Sequence, residues 1–135
     1  MARIDASKVW SLNYRLISTV IVGVTPQLTG LGLEVKELFV LAAIDEHPHP
    51  AELAQVLSIP KPSITVYLKR LGSSGFLRRE IDPSDLRRHR LTLTATGRKA
   101  MARGLTLLAD AYGERLSRLS AAEQVQLATL LEKLN

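Results

Sequence analysis

Between positions 61 and 90 the sequence places eight basic side chains, Lys61, Lys69, Arg70, Arg78, Arg79, Arg87, Arg88 and Arg90, against three acids, Glu80, Asp82 and Asp85. This stretch holds the whole net charge of +5, because the ten basic and ten acidic residues elsewhere cancel. Guanidinium and ammonium groups gathered on one surface bind phosphate oxygens and release the counterions condensed on a polyanion. A solvated basic surface has the same composition, so the elements that carry these residues must decide between the two readings.

Other reactive chemistry is scarce. The absence of cysteine excludes disulfides, thiolate metal sites, cysteine nucleophiles and thiol redox sensing. His47 and His49 stand two apart in a proline-rich turn without obvious co-ligands, and His89 lies much further along the chain. Exposed turn histidines are therefore expected rather than a metal site. Gly30-Leu31-Gly32 lacks the strand–turn–helix context of a phosphate-binding loop. Neither a Ser/His/Asp set nor a carboxylate pair in an apolar setting is evident, so no enzyme activity and no cofactor are expected.

The framework that must position the basic residues is legible from its punctuation. With 135 residues, 46% of them hydrophobic, the chain can bury one modest core, and no repeat or linker divides it. Residues 5 to 24 read as a helix, with Trp10, Tyr14, Ile17, Ile21 and Val24 on one stripe and Leu12, Leu16 and Val20 beside it. Gly23, Pro26, Gly30 and Gly32 are expected to break that helix. Helical character resumes from Leu33 to Glu46 and stops at His47-Pro48-His49-Pro50. Pro50 can open the next helix, Ala51 to about Ser58, at its first position, where a missing N–H is tolerated. The turn Ile59-Pro60-Lys61-Pro62 leads into a further helix over 62–74, with Ile64, Tyr67, Leu68 and Leu71 inward.

After Gly75 the period changes from helical to two. Phe76 and Leu77 start a strand that reaches Arg79 or Glu80, and Arg90-Leu91-Thr92-Leu93-Thr94 alternates as its partner across a Pro-Ser-Asp turn. Thr94 is a suitable N-cap for the next helix, whose stripe is Leu105, Leu108, Tyr112, Leu116 and Leu119. Ser120 caps a last helix with Val125, Ala128, Leu131 and Leu134.

The predicted fold is mainly α with a small β-hairpin wing, a winged helix-turn-helix flanked by N- and C-terminal helices. Ala54 is the small residue that steep helix crossing requires, and Leu53, Leu57, Ile59, Ile64 and Tyr67 fall where locking residues should stand. This leaves Lys61, Ser63, Thr65, Val66, Lys69 and Arg70 facing outward from the second helix of the pair. Ser63 and Thr65 are candidates to bond base edges or phosphate, and Lys61, Lys69 and Arg70 to hold the backbone. Asp82 and Asp85 repel phosphate, so their expected task is to hold neighbouring arginines or the tight turn in shape, since aspartate readily bonds backbone N–H groups in turns. Arg87, Arg88 and Arg90 then remain for DNA, with Arg87 or Arg88 entering a minor groove.

The stretch Asp82-Pro83-Ser84-Asp85-Leu86-Arg87-Arg88 resembles the wing signature of the MarR (multiple antibiotic resistance regulator) family. Leu91-Thr92-Leu93-Thr94-Ala95-Thr96-Gly97, Glu52-Leu53-Ala54 and Leu71-x-x-x-Gly75-Phe76-Leu77-x-Arg79 are also similar to that family's pattern, over residues 51 to 97. Leu86 and Val66 depart from it, standing where the family often has basic residues; Val66 could instead meet a thymine methyl.

The resemblance implies a bacterial transcription regulator, usually a repressor. It implies a homodimer on a pseudo-palindromic operator of double-stranded DNA. A single MarR-like domain is expected, with a DNA-binding lobe at 33–97 and dimerisation helices at 5–24 and 98–134. Trp10, Tyr14, Ile17, Leu116, Leu119, Leu127 and Leu131 are the expected dimer residues, because these helices carry more apolar stripe than the small lobe can cover. A small-molecule effector, anionic or aromatic, is an implied partner, and Trp10 and Tyr14 could line its cleft. With no apolar run near the ~20 residues of a membrane span and no convincing signal segment, no membrane partner and a cytoplasmic location are expected. The competing reading is a winged-helix module whose basic face meets an acidic protein without a specific DNA target.

Overall fold

The computed structural model describes residues 3–135. Six helices and one hairpin follow in the order α1 (Ala6–Gly30), α2 (Val35–Ala43), α3 (Pro50–Leu57), α4 (Lys61–Ser73), β1 (Leu77–Asp82), β2 (Asp85–Leu93), α5 (Ala95–Leu116) and α6 (Ala121–Leu134). The chain divides into two compact units, one comprising the chain up to Val24 with Leu107–Asn135, the other Thr25–Thr106.

The first helix breaks later than expected: α1 runs through Gly23 and Pro26 and ends only at Gly30, ahead of Gly32. Pro26 gives up one helical bond, to the carbonyl of Val22, a residue exposed to water. Against that local loss stands the burial of Val24 and Leu28, both almost wholly removed from solvent. A fully buried aliphatic side chain contributes about 1.5–3 kcal/mol, so two of them outweigh the proline.

In the central unit one kind of helix ending is used three times. After α1 the N–H of Leu33 donates to the Leu28 carbonyl and that of Gly32 to Thr29. After α4 the N–H of Phe76 donates to Leu71 and that of Gly75 to Gly72. After α3 the N–H of Ile59 donates to Ala54 and that of Ser58 to Gln55. Each closure needs a left-handed residue, supplied by Gly32 (φ 79°), Gly75 (φ 77°) and Ser58 (φ 52°). Serine pays a steric penalty there that glycine avoids. Ser58→Gly is therefore expected to raise stability by about 0.5–1 kcal/mol, read as a higher urea midpoint at unchanged m-value.

The core of this unit is aliphatic. Leu28, Leu38, Leu41, Ile44, Leu53, Ile64 and Leu71 are its most buried large side chains. Leu91 and Leu93 of β2, with Leu77 of β1, bury one face of the hairpin, so the threonines of Leu91-Thr92-Leu93-Thr94 turn outward. Thr94 joins hairpin to α5: its hydroxyl donates to the Gly75 carbonyl at 2.6 Å and accepts from the Gly97 N–H at 2.9 Å.

The unit formed by the chain ends is different in kind. From Arg3 to Arg15 every residue is exposed, Val9, Leu12, Trp10 (68%) and Tyr14 (65%) included, and Ile17 is half exposed. Helix α6 has a reciprocal Ser120–Glu123 capping box but no buried residue along its length. Leu116, Leu119 and Leu127 are half-buried and, with Leu16 and Tyr112, line a cavity of about 230 Å³. Leu131 is 37% exposed.

Candidate nucleic-acid interface

Helices α3 and α4 meet through the tight turn at Ser58–Pro60, with Leu53, Ala54, Ile59, Ile64 and Leu68 buried between and beneath them. Burying Ile64, Leu68 and Leu71 fixes the rotation of α4. Lys61, Thr65, Val66, Lys69 and Arg70 are consequently exposed and Ser63 is half-buried. The Thr65 hydroxyl donates back to the Lys61 carbonyl at 3.0 Å, leaving its oxygen free to accept only. Val66 is 53% exposed, an apolar patch amid polar neighbours.

Arg70 is exposed but engaged. One guanidinium nitrogen lies 3.0 Å from Glu34 and another 3.8 Å from the buried carboxylate of Glu37. Glu37 also accepts the N–H of Glu34 and so caps α2. The geometry makes Arg70 a clasp between α2 and α4. Its carboxylate partners come from a segment more than thirty residues away in sequence, which no local pattern reveals.

The wing strands are longer than the alternation suggested, reaching Asp82 and restarting at Asp85. Pairing is regular from Leu77↔Leu93 to Ile81↔His89, then jumps to Asp82↔Asp85. Leu86, Arg87 and Arg88 therefore have no partner residue across the ladder and form a bulge beside a two-residue turn. Asp82 is buried and accepts from the Ser84 N–H (2.8 Å) and hydroxyl (2.6 Å). Asp85 accepts the N–H of Arg87 at 3.0 Å, which fixes the start of the bulge. Both aspartates thus bond the turn itself.

These bonds from Ser84, with lesser help from His49 and Arg88, hold the Asp82 carboxyl below its ordinary range. Stability gained from a depressed carboxylate is present above its unfolded value of about 3.9 and is lost as pH falls through the folded one. The Ser84 bonds to Asp82 should accordingly be lost below about pH 4, which a pH series of the Ser84 amide shift would show.

Arg88 lies in the field of Asp82 and Glu52, whereas Arg87 has no acidic side-chain partner among the described residues. Arg90 stands opposite Glu80 on the outer face of the hairpin. Leu86 is 79% exposed at the bulge. Between the wing and the starts of α3 and α4 lies a cleft of about 930 Å³, lined by His49, Pro50, Glu52, Lys61, Arg88 and His89 among others. His49 is not the exposed turn histidine expected: its ring is only 16% exposed. Its Nδ1 is 3.0 Å from the His89 carbonyl and its Nε2 is 3.4 Å from Asp82. His47 bonds Glu52 at 2.7 Å.

A helix pair locked by apolar residues across a tight turn, followed by an arginine-bearing hairpin, defines a winged helix-turn-helix protein. Comparison with known proteins narrows the class. The sequence pattern of the MarR family matches residues 31–88. The HTH-type transcriptional repressor Rv2887 of Mycobacterium tuberculosis is 30% identical over 136 residues, covering 99% of this chain and 98% of the repressor. A crystal structure of that mycobacterial protein with p-aminosalicylic acid superposes with a TM-score of 0.76 at 30% identity, over 92% of this chain and 95% of the other. Mutant MarR of Escherichia coli complexed with operator DNA superposes with a TM-score of 0.78 at 27% identity, over 94% and 93% of the two chains. The chain belongs to the MarR family; it is a transcription regulator and not an enzyme.

Proposed function

We propose that this protein is a ligand-responsive repressor that binds a pseudo-palindromic operator of double-stranded DNA as a homodimer. The observation that carries the reading is the coincidence of exposed Lys61, Thr65, Val66 and Lys69 and half-buried Ser63 on α4 with an arginine-bearing bulge on the adjoining wing. The entire charge excess of the chain falls on that stretch. Ser63 and Thr65 read base edges, Val66 meets a thymine methyl, and Lys61 and Lys69 hold phosphates. Arg87 enters the minor groove, with Arg88 and Arg90 on the flanking backbone.

The chain ends supply the dimer surface. Exposed Trp10, Tyr14 and Ile17 on α1 and the unburied length of α6 leave more apolar area in water than a lone folded chain normally retains. Leu116, Leu119, Leu127 and Leu131 complete that surface. Two-fold pairing sets the recognition helices about one DNA turn apart. Among the described residues no single helix is long and apolar enough to cross a membrane, and a DNA-binding regulator of this kind acts in the cytoplasm. The effector class is a compact aromatic carboxylate, since the mycobacterial relative has been crystallised with salicylic acid and with p-aminosalicylic acid.

Selection of bound duplexes from a random pool, followed by anisotropy titrations across salt, tests the reading. The expected result is one preferred palindrome with an affinity that falls steeply as salt rises. Equal weak binding to every duplex would favour a protein-association module instead. Sedimentation should give a dimer at micromolar concentration, and a stable monomer would overturn the dimer.

A further inference from the structure

We propose that His49 is the positioning residue of the wing, and that protonation of its ring strengthens DNA binding; this rests on the DNA reading above. The argument begins where the hairpin ladder fails. Three residues of β2, Leu86 to Arg88, are thrown out of register between Ile81↔His89 and Asp82↔Asp85. The segment that carries the arginines therefore has no partner residue in the pairing that holds the rest of the wing.

His49 spans this gap from outside the hairpin. It stands at the N-cap of α3 with extended backbone, and its side chain makes no cap bond to the helix. Its ring instead reaches both strands, Nδ1 to the His89 carbonyl on β2 and Nε2 to Asp82 at the end of β1. The preceding residue is tied as well, because the Leu91 N–H donates to the Pro48 carbonyl at 2.7 Å. That bond holds the backbone from which the ring projects close to β2. One imidazole thus touches both ends of the bulge, through a hydrogen-bond contact to the His89 carbonyl and a longer ionic contact to Asp82.

Both atoms that face the ring nitrogens are oxygens, and a carbonyl or an ionised carboxylate can only accept. A neutral imidazole has one N–H, so whichever nitrogen carries it, the other lone pair points at an oxygen. The doubly protonated ring satisfies both contacts at once. The Asp82 carboxyl, held ionised by Ser84, keeps its charge across the interval in which histidines ordinarily titrate. The charged groups around the ring are Asp82 from β1, Glu52 from its own helix, Arg88 from β2 and Lys61 from α4, with the His89 side chain also lining the cleft. Of these, Asp82 makes the direct contact, at 3.4 Å. Acidification therefore tightens the clasp, holds Arg87 and Arg88 in place and raises affinity. A rise in pH releases them.

The full-length chain is titrated by fluorescence anisotropy with the best duplex from the random pool, from pH 5.5 to 8.0 at constant ionic strength. Wild type should lose about fivefold more affinity across this range than His49→Gln, whose amide can donate but does not titrate. His47→Gln should keep the wild-type profile, which separates the clasp from the general effect of histidine charge near DNA. An unaltered profile in His49→Gln overturns the proposal. Without DNA, the amide shifts of residues 86–91 should titrate with the His49 ring in wild type and cease to do so in His49→Gln. Failure of wild type to bind any duplex would sink the DNA reading alone, because the amide titration still decides the clasp. Asp82→Asn, checked as folded by circular dichroism, should flatten both profiles; if both stay wild-type, the carboxylate contact is not the source.

Discussion

Gly97→Ala will destabilise the protein by about 3–5 kcal/mol, a large share of the 5–15 kcal/mol that holds a typical domain together. A Cβ at this position would fall far inside contact distance of the Phe76 carbonyl oxygen, with the Phe76 carbonyl carbon at 2.8 Å and Cα at 3.0 Å. Every atom in the way is backbone, so no rotamer change relieves the clash. The displaced strand end would also strain the bonds from Thr94 to Gly75, Phe76 and Gly97. Gly104 provides the contrast. A Cβ there meets Leu38 Cδ1 at 2.7 Å and the tips of Leu38 and Leu28 beyond 3 Å, and the ends of leucines can yield. Gly104→Ala should cost about 1–2 kcal/mol. Urea unfolding of both variants at one protein concentration checks the pair; Gly97→Ala within 1 kcal/mol of wild type would refute the account.

Arg87→Ala should lower operator affinity by about tenfold to a hundredfold, against a severalfold loss for Arg88→Ala. The difference follows from surroundings. Arg88 already has Asp82 and Glu52 in its field, so less of its charge is available to DNA. Arg87 is anchored through its backbone to Asp85 while its side chain has no acidic side-chain partner among the described residues. The Arg87→Ala loss should be greatest on duplexes with A·T-rich flanks, where a narrow minor groove concentrates negative potential. Anisotropy titrations on flank-varied duplexes measure this, and equal losses for the two arginines would refute the assignment.

How much of this was legible in the sequence depended on the range of the interactions. The proline-bounded helices, the change of period after Gly75 and the Leu-Thr alternation are local signals, and they located the helix pair and the hairpin. The end of α1 was misread because Gly23 and Pro26 were judged locally, while the burial of Val24 and Leu28 decides the outcome. The ion pairs of Arg70 were not legible because Glu34 and Glu37 reach it only through tertiary packing. The bulge at Leu86–Arg88 was invisible for a related reason. It arises when the tight turn at Asp82–Asp85 and the buried Leu91/Leu93 register are both honoured, which leaves three residues over. His49 bears no local mark of its role, since its acceptors lie thirty-three and forty positions downstream.

The bond from Leu91 to Pro48 also bears on how the protein keeps to itself. A two-stranded hairpin of alternating leucine and threonine offers a foreign strand an edge on which to add. Along β2 that edge meets the segment Pro48-His49-Pro50, which accepts from Leu91 but has no N–H at either proline to pass the ladder onward. Along β1 the approaching strand would meet Arg78, Arg79 and Glu80, all exposed. The hairpin is thus closed to growth on one side by proline and on the other by charge, so the wing can stand out from the body of the protein without seeding aggregation.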